Sequence, residues 1–188
     1  MNRLNSLAFS IFLFAIIFYG IFERFTSSKP EIEVITDELT PEFIAETLNS
    51  EAFSDTGRLS YTIDADRMEH YASLSVTHFE LPNYTLYPKD TSAPWKMTAN
   101  EATLYDNNRV ILKNRVRLVA TDENSLIQEV HGKSLELDLN TNIISSEQTI
   151  LVLGKGFTMY GSGLIVDLNT TQMTLTEHVQ TIYKKTNS

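Results

Sequence analysis

One uninterrupted apolar run, residues 4–22, constrains this chain more than any other feature of its sequence. No charged residue lies between Arg3 and Glu23. As an α-helix this run would rise about 28 Å, close to the roughly 30 Å hydrocarbon thickness of a bilayer. It ends in bulky side chains, whereas a cleaved signal peptide has a shorter apolar stretch followed by small residues. We therefore expect residues 1–26 to form an uncleaved transmembrane anchor.

The charges that flank the run distinguish only slightly between the two orientations. Arg3 and the terminal amine precede it, and Glu23, Arg24 and Lys29 follow it. The positive-inside rule then gives a slight preference for a cytoplasmic N-terminus. The β-rich character of the remaining chain also favours a location outside the cytoplasm. We expect a single-pass protein whose C-terminal domain lies outside.

The composition excludes several classes of function. The sequence has no cysteine, so a disulfide, a thiolate metal site and a thiol nucleophile are all impossible. The formal net charge is −9, which argues against nucleic acid as a partner because phosphate neutralisation needs a basic face. About 160 residues follow the anchor, enough for one domain of ordinary size.

The segment 27–56 is polar and acidic and contains Pro30 and Pro41. The sequence Thr40-Pro41-Glu42 has an N-cap residue followed by proline at the first helical position, which predicts a short helix. We therefore divide the chain into an anchor (1–26), a linker leading into the domain (27–56) and a β domain (57–188).

From Gly57 onward the hydrophobic pattern has a period of two. Leu59, Tyr61 and Ile63 alternate with polar residues, and such alternation is typical of half-buried antiparallel strands. The same period recurs in three further stretches, residues 110–113, 115–120 and 134–139. Turn signals rich in Asp and Asn separate the alternating stretches. The sequence predicts an all-β domain of many short antiparallel strands.

The chain also contains an internal repeat. Residues 132–141 recur as residues 161–170, with Gly, Leu, Asp, Leu, Asn and Thr matching in place, and a looser copy covers 99–108. Each unit reads as a strand, a polar turn and a second strand, and such units stack because none can bury its apolar face alone. This pattern predicts a long stacked sandwich or twisted jelly roll and not a closed barrel. Accidental similarity between β-hairpins is the alternative.

Motifs that would carry catalysis or bind a cofactor are missing from the sequence. The four histidines form no H-E-x-x-H, there is no G-x-S-x-G, and the glycine-rich stretches 154–156 and 161–163 lack the phosphate-loop spacing. We predict no catalytic residue, no metal site and no cofactor. A hydrolase whose Ser, His and Asp meet only in the folded chain stays open as an alternative.

Aromatic and branched residues are spread along the whole predicted sheet. Most of them must form the core, but a jelly roll whose two sheets splay apart exposes its inner faces as an apolar groove suited to acyl chains. The candidates for such a groove are Phe79, Tyr84, Trp95, Phe157 and Met159. A stacked array also has two open edge strands, which can pair with a strand of a partner.

Several segments, in this order and spacing after the anchor, carry a resemblance to a known family. They are residues 53–61, 65–71, 79–82, 94–99, 162–164 and 179–183. With them the chain resembles the lipopolysaccharide transport protein C family, the single-pass inner-membrane subunits of the lipopolysaccharide export bridge. The resemblance covers nearly the whole chain. In that family the part before Gly57 tends to run as an extended strand, which conflicts with the short helix predicted above.

The resemblance implies a periplasmic β-jelly roll that accepts lipopolysaccharide from an ATP-driven inner-membrane transporter. The domain would pass the lipid to a soluble periplasmic bridge protein of the same fold, without catalysis of its own. By motif match, Gly154 falls near the groove. The resemblance also implies two partner edges, an N-terminal one at Gly57, Leu59 and Tyr61, and a C-terminal one at Val179, Thr181 and Tyr183.

A second class of function is a membrane-tethered periplasmic jelly roll that binds a carbohydrate or a protein. Such a domain should present aromatic residues on an exposed face together with paired Asp or Asn, and often calcium ligands. The nearest candidates are residues 138–140 and 167–169. Both read better as turns.

Overall fold

The computed structural model describes residues 40–90 and 92–183 of the chain. The expected anchor, residues 1–26, lies outside these ranges, and within them no helix has both the length and the apolar character needed to cross a membrane. The described residues form strands joined by turns, with one 3-10 turn at Ala72–Leu74. The strands are β1 (Phe43–Phe53), β2 (Leu59–Tyr71), β3 (Val76–Glu80), β4 (Asn83–Leu86), β5 (Trp95–Thr98), β6 (Glu101–Tyr105), β7 (Arg109–Ala120), β8 (Ile127–Asp138), β9 (Ile143–Ser146), β10 (Ile150–Gly154), β11 (Phe157–Asp167) and β12 (Gln172–Tyr183).

All these strands belong to one antiparallel sheet that folds over on itself. Each long strand pairs with different neighbours through its two halves. Thus β2 pairs with β4 through residues 61–64 and with β3 through residues 67–71. In the same way, β7 pairs with β6 through residues 110–113 and with β5 through residues 117–120. The fold therefore has two facing layers, which share the long strands.

We call these layers sheet A and sheet B. Sheet A contains residues 48–53 of β1, 59–65 of β2, β4, β5, residues 116–120 of β7, 127–132 of β8, β10, residues 157–161 of β11 and 180–183 of β12. Sheet B contains residues 43–46 of β1, 67–71 of β2, β3, β6, residues 109–113 of β7, 134–138 of β8, β9, residues 164–167 of β11 and 172–177 of β12.

Residues in the left-handed region of backbone space mark the bends between the two sheets. Thr47 in β1, Asn114 and Arg115 in β7, Gly163 in β11 and His178 in β12 all have positive φ. The pairing register shifts at the bend of β7, between residues 113 and 116, as it does at a β-bulge. A bulge bends the strand that contains it. Most of the long strands thus turn from one sheet to the other at a local break in the ladder.

An apolar core fills the space between sheets A and B. It is built from the alternate side chains that the period-two pattern turns inward, such as Val110 and Leu112 of β7 and Leu135 and Leu137 of β8. The intervening residues of these strands face outward. The predicted all-β antiparallel jelly-roll architecture is thereby confirmed.

The internal repeat corresponds to two equivalent strand–turn–strand units, as predicted. The Oδ1 atoms of Asp138 and Asp167 accept hydrogen bonds from the backbone N–H of Asn140 and Asn169, at 2.8 and 2.9 Å. The two turns stack directly, since Asn142 Nδ2 donates to Asn169 Oδ1 at 3.2 Å. The looser copy adds a third turn to this ladder, because Asn108 donates to the Asn140 side chain.

The short helix predicted at Thr40-Pro41-Glu42 is wrong. Residues 43–53 form β1, which pairs with β2 along nearly its whole length. Arg67 of β2 holds β1 in place from outside, through hydrogen bonds to the carboxylates of Glu46 on β1 and Glu69 on its own strand. A long strand ladder outweighs a single capping signal. The sheet therefore begins at Phe43, inside the segment assigned from the sequence to the linker, and agrees with the extended strand that the resemblance implied.

Candidate functional site

The interior near the first strands contains a cluster of three aromatic rings. The ring centroids of Phe79 and Tyr84 lie 6.4 Å apart in an edge-to-face arrangement, and those of Tyr61 and Tyr84 lie 6.2 Å apart. Phe79 and Tyr84 are buried and Tyr61 is half-buried. Strand alternation turns all three rings inward: Tyr61 and Tyr84 are diagonal neighbours on the paired strands β2 and β4 of sheet A, and Phe79 on β3 meets Tyr84 from sheet B. Two of the predicted groove residues thus lie in one cluster.

Trp95 continues the same inward surface on the next strand of sheet A. It pairs with Leu86 of β4 on one side and with Ala120 of β7 on the other. Its side chain is buried, as is that of Met97 two residues further along β5. The inward row therefore runs without interruption from the aromatic cluster towards the centre of the stack.

Phe157 and Met159 lie at the other end of the interior, on the sheet A half of β11. Met159 pairs with buried Val152. The side chains of Phe157 and Met159 pack against the core while staying partly exposed. Gly154 is opposite Phe157, and the Phe157 ring covers it so closely that an added Cβ would lie 2.0 Å from the ring. All six predicted groove residues line the space between the sheets, but at two separate places along it.

The described interior is electrically neutral. Its buried side chains are apolar except for Asn142. Desolvation by burial raises the pKa of the Tyr84 hydroxyl far above its ordinary value, and the same cause raises the pKa of Tyr61. Both phenols therefore stay protonated at neutral pH. The described interior is thus lined by apolar and uncharged groups.

The N-terminal edge of the sheet is β1. Leu59 and Tyr61 lie one strand further in, opposite Phe53 and Ala52, and Gly57 sits in the turn between the two strands with φ of +75°. The apolar side chains that β1 exposes are Phe43, Ile44 and Phe53. Sequence analysis assigned this segment to the linker and placed the N-terminal partner edge at Gly57, Leu59 and Tyr61, but β1 pairs with β2 and lies outside them.

The C-terminal edge of the sheet is β12, which pairs with β11 in the described part of the chain. Thr181 and Tyr183 are opposite the inward residues Met159 and Phe157, so they extend the inner surface to the edge. Val179 and Tyr183 are 50% and 79% exposed, an unusual state for such large apolar side chains on an inward row. The three predicted residues of this edge therefore share one face.

The fold and the site together define an open-ended β-jelly roll with an apolar interior. The profile of the family described as "Lipopolysaccharide-assembly, LptC-related" matches residues 9–184. Because that match spans most of the sequence, this chain belongs to the LptC-related family.

Individual relatives agree with this assignment. The chain is 27% identical over 169 residues to the lipopolysaccharide export system protein LptC of Haemophilus influenzae, covering 81% of each chain. It is 24% identical over 152 residues to the protein of the same name from Escherichia coli K12, covering 81% of this chain and 80% of that one.

A solved structure shares the fold. It is LptH, described as the LptA-homologous periplasmic component of the lipopolysaccharide transport device of Pseudomonas aeruginosa. The TM-score is 0.52 at 13% identity, and the match covers 66% of this chain and 95% of that one. At this identity the likeness concerns the fold alone.

Proposed function

We propose that this chain is the inner-membrane-anchored component of a lipopolysaccharide export bridge. It accepts lipopolysaccharide from an ATP-driven inner-membrane transporter into its apolar interior. It then passes the lipid to a soluble periplasmic jelly-roll protein for delivery to the outer membrane. In this proposal the domain performs no reaction; it only encloses the acyl chains during transfer.

The observation that carries the proposal is the continuous apolar surface between sheets A and B. It runs from the aromatic cluster around Tyr84 to Phe157 and Met159 on β11, and it is neutral along its described length. Moving acyl chains through water costs about 25 cal/mol for each Å² of apolar surface exposed. An enclosed apolar path avoids most of that cost, and the transporter supplies the remaining work.

The two end strands support a transfer between jelly rolls. β1 and β12 expose apolar side chains at opposite ends of the stack: Phe43, Ile44 and Phe53 on β1, and Val179, Ile182 and Tyr183 on β12. An edge strand offers unpaired backbone groups to a strand of a partner. We propose that β1 pairs with the transporter and β12 with the soluble bridge protein, so that the apolar path continues across both junctions.

The apolar run 4–22 completes the proposal by tethering the domain to the inner membrane, with the N-terminus in the cytoplasm and the jelly roll in the periplasm. N-terminal sequencing of the protein extracted from membranes tests the tether. An intact N-terminal region is expected. A mature chain that begins after Phe22 would contradict an uncleaved anchor.

Photocrosslinking in cells tests the transfer function itself. A photoreactive amino acid is placed in turn at Phe79, Tyr84, Trp95, Phe157 and Met159, and lipopolysaccharide captured by the protein is detected by immunoblotting. We expect capture at these inward positions, and we expect it to increase when the transporter hydrolyses ATP. Lys96, which is exposed on β5 between Trp95 and Met97, provides the matched outward position. Equal capture at Trp95 and Lys96 would show that no interior path is used.

A further inference from the structure

The opening between the two sheets has two rims that are formed by turns. Rim A contains the turns at the ends of sheet A, residues 54–58, 87–90, 92–94, 121–126 and 155–156, and rim B contains those at the ends of sheet B, residues 72–75, 106–108, 139–142 and 168–171. The bends of the long strands close the opposite side of the stack. Lipid that approaches from the side must therefore pass between the two rims.

Lys89 of rim A reaches across this opening to rim B. Its Nζ donates a hydrogen bond to the backbone carbonyl of Asn140 at 2.9 Å, and its backbone N–H donates to Asn169 Oδ1 at 3.1 Å. On its own rim, Arg58 Nη1 donates to the Lys89 carbonyl at 3.0 Å. Among residues 40–90 and 92–183, Lys89 makes both hydrogen bonds that join the two rims. One residue thus links two rims that otherwise bond within themselves.

The opening on either side of Lys89 is narrow. A cleft of about 390 Å³ lies on the β1 side, between Arg58 and Tyr87 of rim A and Leu139 of rim B. A smaller cleft of about 210 Å³ lies on the other side, between Trp95 and Thr171. Pockets for drug-sized ligands already measure about 300 to 1,000 Å³. A lipid with several acyl chains therefore does not fit into either cleft while the rims stay joined.

The interior behind the opening is also filled. Leu86 and Trp95, which flank the crossing segment, are 1% and 3% exposed, and Leu137 beneath rim B is fully buried. Close-packed side chains leave no free volume of the size of an acyl chain. The sheets must therefore separate before lipid can replace these contacts, and separation breaks the two bonds of Lys89.

We infer that Lys89 is a latch that holds the two rims together and must release before lipid moves laterally into the interior. This inference rests on the proposed transport function. The latch is weak enough to open, because bonds to water largely replace a hydrogen bond that is broken at an exposed site. Its ammonium group bonds to a neutral carbonyl and to no described carboxylate, so its release leaves no buried charge behind.

A reversible crosslink tests the latch in the full-length protein together with its transporter. The chain has no cysteine, so the pair Lys89→Cys and Asn169→Cys is joined selectively by a short, reducible bis-thiosulfonate crosslinker. Lipopolysaccharide capture is then measured with the photoreactive residue at Trp95. We expect at least a fivefold decrease in capture when the rims are joined, and full recovery after reduction. The reduced protein is the control for any effect of the two substitutions.

A second cysteine pair controls for the crosslinker. Leu126→Cys and Lys155→Cys lie on neighbouring turns of rim A alone, where the Lys155 N–H donates to the Leu126 carbonyl at 2.9 Å, so joining them should change capture by less than twofold. Unchanged capture across a completed Lys89–Asn169 crosslink would overturn the latch while leaving the transport function intact. A different outcome would contradict the transport function instead: no capture at Trp95 after reduction, and none in the protein without the two cysteines.

A simple substitution gives an independent measurement. Lys89→Met keeps most of the flexible apolar stem but removes the Nζ donor, so we expect the initial rate of capture to rise at least twofold. An unchanged rate in a protein with wild-type thermal stability would contradict the latch.

Discussion

The close contact between Gly154 and Phe157 gives a quantitative prediction. A Cβ added at Gly154 would lie 2.0 to 2.5 Å from three atoms of the Phe157 ring, so the ring must leave its place in Gly154→Ala. The backbone of Gly154 does not require glycine, because its φ is not in the left-handed region. The whole effect of the substitution therefore comes from displacing one aromatic side chain.

The size of the effect follows from the burial of that ring. Burying a phenylalanine fully contributes about 1.5–3 kcal/mol, so losing the packing of a partly buried ring should lower the free energy of unfolding by roughly 1 kcal/mol. Urea denaturation of the purified protein, followed by circular dichroism, measures this change. We also expect less capture of lipopolysaccharide at Met159, because the displaced ring enters the interior beside it.

A double-mutant cycle separates this cause from others. Phe157→Leu removes most of the ring, so Gly154→Ala should cost far less in that background than in the wild type. Gly156 is the matched control: its φ is +90° with open space around it, so Gly156→Ala acts through backbone strain and should add independently of Phe157→Leu. Additive effects of Gly154→Ala and Phe157→Leu would refute the reasoning.

Three other predictions concern the interior, the C-terminal edge and the outer face. Burial raises the pKa of Tyr84, so the stability contributed by its neutral form is present in full below the unfolded pKa of about 10 and is lost as the pH rises above it; Tyr84→Phe should reduce this alkaline loss in thermal unfolding curves. Thr181→Pro removes a ladder donor from β12 and should weaken binding to the soluble bridge protein in a pull-down assay, with anchoring unchanged. The hydrogen bond from Arg117 lowers the pKa of Glu129, so the ionised carboxylate stabilises the folded state in full above the unfolded pKa of 4.5. This stabilisation is lost as the pH falls through the lower folded pKa, and Glu129→Gln should reduce the loss of stability in acid.

Each of these has its own control. If Tyr84→Phe or Glu129→Gln loses stability with pH as the wild type does, other groups cause that loss of stability. For the edge, Thr181→Val keeps the backbone donor and should bind the partner normally. A folded Thr181→Pro variant with wild-type affinity would mean that the partner docks elsewhere.

The sequence predicted the strands whose two faces differ clearly in polarity. In β2, β7 and β8, large apolar residues alternate with charged ones, and their inward positions follow directly. Phe79, Tyr84 and Trp95 were named as groove candidates because they are aromatic residues of the predicted sheet, and all three are buried. β1 was missed because several of its residues opposite the inward positions of β2 are small, namely Ala45, Ser50 and Ala52. Its large residues Phe43 and Phe53 are exposed instead. Such a strand has no strong alternation, and its structure comes from pairing with β2.

The partner edges and the rims depend on tertiary neighbours that local patterns do not contain. The resemblance implied a partner edge at Leu59 and Tyr61, but β1 pairs with β2 and covers this edge. Lys89 gave no signal at all, because its two acceptors lie 51 and 80 residues further along the chain. A lysine in a turn after a strand is ordinarily a solvated residue.

The regular position of the bends has a consequence for how this architecture can evolve. Each layer crosses the interior with a half-strand of about five residues, or roughly 17 Å, before it turns into the other sheet. The width of the interior is thus set within one layer, and its length is set by the number of stacked layers. Duplicating one repeat, such as residues 132–160, would lengthen the interior without changing its cross-section, and it would leave β1 and β12 as the terminal strands. Under the proposed transport function, the distance spanned and the lipid selected can therefore change separately.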